Sequence, residues 1–120
     1  MKYVNLTSHP IHLVDERGNS IKIITPSGLV ARMNDKKKKS CNINGVNIYE
    51  LQESYITGLP EEDKNTIYIV SQIILRAIGN KRKDICTPLP ISRYRKKTKA
   101  ASGLYRIGEE WENEISTFII

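Results

Sequence analysis

The side chains best equipped for chemistry in this sequence are cationic. Residues 81–106 hold nine Lys or Arg side chains and one acid, Asp84, gathered in Lys81-Arg82-Lys83 and in Arg93-Tyr94-Arg95-Lys96-Lys97-Thr98-Lys99. Arg82 offers a planar, two-pronged donor for a phosphate, and Asp84, two positions on, offers an acceptor for ribose hydroxyls or an adenine amino group. Ser71 stands where a helix is expected to start, a place where unpaired backbone N–H groups and the helix dipole favour an anion. Arg76 is a helper if it leaves the apolar side of that helix. A second anion-binding concavity is expected at Ser27 and Gly28 in Thr25-Pro26-Ser27-Gly28, with Arg32 further on. Each also has an ordinary alternative. Ser71 can simply cap, Gly28 can simply turn, and Arg82 with Asp84 can form a surface ion pair of small energetic value.

Catalytic constellations have their own signatures, and the sequence carries none of them. His9 and His12 lie three apart across Pro10, so they cannot form a helical metal pair, and His9 reads as a turn residue. Together with Cys41 and Cys86 they lack the paired spacing of a zinc finger. No phosphate-loop or dinucleotide glycine fingerprint is present. The expectation is therefore a protein that binds and does not catalyse, with no metal and no cofactor.

These residues must be positioned by a small scaffold. Residues 2–6 and 11–14 read as short strands, Asp15-Glu16-Arg17-Gly18-Asn19 as a turn, and 20–24 as the return strand. After a break at Pro26 and Gly28, residues 29–33 resume an extended pattern, so the first third reads as an antiparallel meander. The lysine run within 34–40 is expected to be a solvated loop or hairpin tip. Asn44-Gly45 is a hairpin dipeptide between 41–43 and 46–49, and 54–57 is extended up to Gly58-Leu59-Pro60. Thr66-Ile67-Tyr68-Ile69-Val70 is the most apolar β-type run and the expected central strand, covered on both faces. From Gln72 to Gly79, Ile73, Ile74, Ala77 and Ile78 recur at helical spacing. Pro88 and Pro90 preclude regular helix, and Trp111, Ile115, Phe118 and Ile119 predict an amphipathic helix in the tail, 109–120. The fold class is α+β: an antiparallel N-terminal sheet, one helix after the central strand and a C-terminal helical tail. It is read as a single domain, 1–120, mainly β over 1–70, with helix, basic loop and tail over 71–120.

The 120 residues carry 19 Lys plus Arg against 13 Asp plus Glu, a formal charge of +6. Wholesale disorder is excluded by 39% hydrophobic content, and no apolar run approaches the ~20 residues of a membrane span. A cytoplasmic location is expected, with Cys41 and Cys86 as free thiols. So small a core also favours self-association. The positive charge calls for an acidic partner, of which two kinds fit. One is nucleic acid, tracked by residues 93–99 with Tyr94 or Tyr105 stacking on a base; the other is a small phosphorylated ligand in a pocket.

Ordered segments across residues 3–90 carry a resemblance. They are Val4-Asn5-Leu6-Thr7-Ser8-His9-Pro10, Pro26-Ser27-Gly28-Leu29-Val30-Ala31-Arg32, Thr57-Gly58-Leu59-Pro60 and Thr66-Ile67-Tyr68-Ile69-Val70-Ser71, then Arg82-Lys83-Asp84 followed by Pro88. Together the series resembles a family of small phage and prophage proteins that includes the first-described Thoeris anti-defence sponges. The resemblance implies a protein that sequesters the glycocyclic ADP-ribose signal of a bacterial immune enzyme without cleaving it, and that assembles as dimers or hexamers in the infected cell. Some members hold cyclic oligonucleotides at separate sites. On that footing Ser71, Arg76, Arg82 and Asp84 are candidates for the first ligand, and Ser27, Gly28 and Arg32 for the second. The segment 91–120 departs from the family pattern, being basic and then apolar; Tyr94, Tyr105 and Trp111 are its options for stacking on adenine.

Overall fold

The computed structural model describes residues 1–91 and 100–111. Eight strands and one helix follow in the order β1 (Lys2–Asn5), β2 (Ile11–Val14), β3 (Ser20–Ile24), β4 (Arg32–Ile43), β5 (Val46–Thr57), β6 (Thr66–Ile69), α1 (Gln72–Ile78), β7 (Ile85–Pro90) and β8 (Ala100–Tyr105). Six strands form one mixed sheet in the order β1-β6-β7-β8-β2-β3, and β4 and β5 form a separate two-stranded ribbon.

The β6-α1-β7 segment is a crossover unit, because β6 and β7 are parallel and parallel neighbours need a connection long enough to return over the sheet. Ile74 and Leu75 face inward and are essentially fully buried, whereas Ile73 is 68% exposed. The inward stripe is therefore Ile74, Leu75 and half-buried Ile78; the expected stripe of Ile73, Ile74, Ala77 and Ile78 is rotated by about one residue. Burial of a side chain such as Leu75 stabilises by about 1.5–3 kcal/mol. Gly79 ends the helix at φ +66, its N–H reaching the carbonyl of Leu75, and a short 3₁₀ turn over Gly79–Lys81 leads to Arg82.

Strand β6 is covered on both faces, as its apolar run implies. Tyr68 and Val70 pack with Leu6, Ala31, Ile74, Leu75 and Ile85 beneath the helix, while Ile69 points the other way, to Ile11, Ile24 and Ala101. This is strand alternation serving two cores. The row of six strands curls until its outer members meet. Asn5 at the end of β1 bridges Pro26 just past β3, with the Ser27 N–H donating to the Asn5 carbonyl at 2.9 Å. The Lys22 ammonium of β3 lies 5.4 Å from the ring centre of Tyr3 in β1.

Three expectations need correction. An antiparallel component is present in the β2–β3 pair, but β1 is not part of a meander: it pairs in parallel with β6, and β2 pairs in parallel with β8. Residues 29–31 are irregular, and strand begins only at Arg32. The lysine run is neither loop nor tip, because Lys36–Lys39 lie inside β4, each paired across the ribbon with a β5 residue. Both faces of that ribbon meet water, so the chain extends without burying charge. The tip is at Asn44-Gly45, both at positive φ as a two-residue hairpin requires. Pro88 and Pro90 sit in β7 where β6 no longer accompanies it. The expected tail helix and the basic run 93–99 fall largely on residues 92–99 and 112–120, outside the described residues.

Candidate functional site

Arg82 and Asp84 meet, but in each other. Arg82 donates from Nε to Asp84 Oδ1 at 3.0 Å and from Nη2 to Oδ2 at 2.8 Å, while Nη1 donates to the carbonyl of Pro60 at 2.8 Å. The Asp63 N–H adds a longer contact to Asp84 Oδ2, 3.3 Å. The guanidinium fork thus staples the turn at Pro60 to the start of β7, and both candidate ligand groups are engaged inside the protein. Asp84 is buried, so this is not the solvated surface pair that the spacing also allowed. Burial pushes the Asp84 carboxyl upward, but the Arg82 and Asp63 donors outweigh it and hold it below the ordinary carboxylate range. Hydrogen bonding to Asp84 raises Arg82 in turn, against the opposing effect of desolvation.

Ser71 lies at the other end of the crossover unit. It follows the C-terminal end of β6, whereas Asp84 precedes β7, beside the middle of β6. About four residues along parallel strands, roughly 13 Å, separate them. Ser71 occupies the N-cap position in extended conformation, but its hydroxyl makes no capping bond. Arg76 is exposed and without an ion pair among the described residues. The four residues proposed for one ligand are therefore not gathered in one pocket of a single chain.

The residues proposed for a second ligand lie on Ser71's edge of the sheet. The loop through Ser27 covers the C-terminal ends of β1 and β6: the Ala31 N–H donates to the Leu6 carbonyl, and the Leu6 N–H to that of Ile69. The Ser27 N–H is taken by Asn5, and its hydroxyl donates to the Leu29 carbonyl at 3.2 Å. Gly28 takes φ +97 in open space, a turn conformation rather than a crowded approach. Arg32 is exposed at the root of the ribbon, without an ion pair among the described residues.

Asn5 organises this edge, and sequence reasoning gave it no role. Its amide donates to the carbonyls of His9 (2.8 Å) and Ile24 (3.1 Å), and its oxygen accepts from the N–H (2.9 Å) and hydroxyl (2.6 Å) of Thr7. The signal was its place ending a strand, where asparagine is disfavoured unless its amide is used.

Asp84 also borders a cleft of about 400 Å³ at the opposite edge, lined by Glu62, Asp63, Lys64, Thr66, Ile67, Lys83 and Arg106 together with Met1. That volume lies within the ~300–1,000 Å³ range of small-molecule sites. Lys83 Nζ bonds Glu109 at 2.6 Å, which lowers the Glu109 carboxyl, and Arg106 Nη1 donates to the Lys83 carbonyl at 3.0 Å. Lys64 makes no ion pair among the described residues. Thr66, 1% exposed, carries a buried hydroxyl with no hydrogen-bond partner among the described residues.

No group of three metal-ligating side chains is assembled among the described residues. Cys41 is exposed and Cys86 buried, both as free thiols, and burial raises the thiol of Cys86. No helix among the described residues is long and apolar enough to cross a membrane. Comparison with known proteins finds no matching family model, no matching curated protein and no matching solved structure.

Proposed function

We propose that this chain is a binding protein of phage or prophage origin that captures a cyclic nucleotide signal of the glycocyclic ADP-ribose type, and sequesters it unchanged in the host cytoplasm. The observation that carries the reading is the cleft at Thr66. A hollow of nucleotide scale has the Lys64 ammonium and the Arg106 guanidinium at its walls, and beside it lies a buried hydroxyl without a partner among the described residues. Lys64 and Arg106 supply donors for a diphosphate, and Glu62 and Asp63 supply acceptors for ribose hydroxyls. Arg82 acts one layer behind, fixing Asp84 at the cleft's border and, through it, the segment that carries Asp63. On this reading the sponge needs no general acid or base; tight capture and slow release suffice.

The test is isothermal titration of the full chain with glycocyclic ADP-ribose isomers and cyclic trinucleotides, followed by mass spectrometry of the recovered ligand. Stoichiometric binding with the ligand intact is expected. Failure to bind either class, or recovery of a cleaved ligand, overturns the reading.

A second reading, a nucleic-acid-binding accessory protein, is favoured by one feature of the ribbon. Lys37 and Lys39 pair across it with exposed Leu51 and exposed Tyr49, a face where two cations lie opposite one aliphatic and one aromatic group, with no acid opposite either lysine. Binding to single-stranded DNA that weakens steeply with added salt is its expected outcome, and salt-insensitive or absent binding removes it.

A further inference from the structure

The ribbon's other face is built differently. Along β4, alternation sets Lys36 and Lys38 on the side opposite to Lys37 and Lys39, and their cross-strand partners are Glu53 and Glu50. Beyond a bulge at Ser40 that face continues into Cys41 opposite Ile48 and Ile43 opposite Val46. The result is an apolar tip of four side chains, then a lysine column on β4 beside a glutamate column on β5. Ile43 and Val46 are 56% and 59% exposed. A two-stranded ribbon with such a face is marginal alone in water and is stabilised when the face is covered.

We propose that this face docks on the same face of a second copy of the chain. The charge pattern selects that occupant. Turning a copy by half a revolution about the ribbon's long axis and laying it face to face places β4 of one chain over β5 of the other. Lys36 and Lys38 of each chain then meet the glutamate column of its partner, and Cys41 and Ile43 meet the partner's copies of Ile48 and Val46. Two sheets stacked about 10 Å apart bury both apolar tips and satisfy both columns. The contact is isologous, so it closes at two copies.

Sedimentation of the full chain tests the inference independently of any ligand. The wild type is expected to sediment as a dimer, and Ile43→Lys with Ile48→Lys as a monomer with an unchanged far-ultraviolet spectrum. A charge exchange separates docking from folding. Lys36→Glu with Lys38→Glu, and separately Glu50→Lys with Glu53→Lys, each give chains that repel their own copies. Mixing the two variants restores the dimer, although each chain still sets like charges opposite one another across its own ribbon. A wild type that stays monomeric at submillimolar concentration and low salt, an assembly that survives the tip substitutions, or mixed variants that stay monomeric overturns the proposal.

Discussion

Arg82 holds both carboxylate oxygens of Asp84, at 3.0 and 2.8 Å, and with its remaining arm holds the carbonyl of Pro60. One side chain thereby fastens the end of the ribbon's return path to the second strand of the crossover unit. Replacing it with an apolar chain of similar length leaves a buried carboxylate uncompensated, a change that costs about 3 kcal/mol. Arg82→Met is expected to lower the urea midpoint accordingly, and Arg82→Met with Asp84→Leu to recover part of the loss, because the stranded charge is then gone too.

The same pair gives stability a defined acid dependence. Since Asp84 in the folded chain titrates below its ordinary value, the unfolded chain takes up the proton first as pH falls. Its contribution is fully present above the ordinary carboxylate range, near pH 4, and is lost as pH falls through the depressed native value. Urea midpoints measured from pH 7 to pH 3 are expected to fall more steeply for the wild type than for Asp84→Asn, which lacks this titration.

Gly58, directly before the Leu59-Pro60 turn, combines φ +78 with a close neighbour: a Cβ there would stand 2.4 Å from the Val30 carbonyl oxygen. Gly58→Ala must therefore shift backbone as well as bear an unfavourable φ, and a loss of more than about 2 kcal/mol is expected. Gly28→Ala is the control. At φ +97 with open space around it, it bears the conformational strain alone, about 1 kcal/mol. Thermal melts of the two variants should differ clearly in that order.

Thr66→Val separates architecture from ligand capture. The substitution keeps the shape and removes a hydroxyl that has no partner among the described residues, so the free chain should be as stable as before or slightly more so, by up to about 1 kcal/mol. Affinity for the captured nucleotide should be unchanged in Thr66→Val, because no ligand can reach the Thr66 hydroxyl, and should drop about fivefold to tenfold in Lys64→Gln, which removes an ammonium at the cleft wall. Affinity unchanged by Lys64→Gln in titration calorimetry would place the ligand away from this cleft.

Much of the fold can be read from local pattern. The Asn44-Gly45 hairpin, the apolar run at Thr66–Ile69 and the helix ended by Gly79 each follow from a few adjacent residues whose backbone preferences agree with their burial. Strand partnership is not local. Nothing in Lys2–Asn5 states that it will lie beside Thr66–Ile69, since parallel pairing is settled by which apolar faces remain to be covered. The lysine run shows a second limit: four cations in succession say that the segment is solvated, and a ribbon in water is as solvated as a loop. At the site, the two-residue spacing of Arg82 and Asp84 suggests two ligand contacts, with a surface pair as the ordinary alternative; the two instead bond each other, with Asp84 buried. The identity of their partners was not legible there, because the Pro60 carbonyl and the Asp63 N–H arrive from a turn some twenty residues earlier.

The strand order also dictates how the chain can acquire its shape during synthesis. β1 has to wait for β6, and β2 for β8. Until β6 has left the ribosome, β2–β3 and the long ribbon are the only strand pairs among the described residues that can form. At about 5–20 residues per second, the nascent N-terminal segment spends several seconds with Leu6 and Ile11 uncovered, a window in which a holding chaperone would find it.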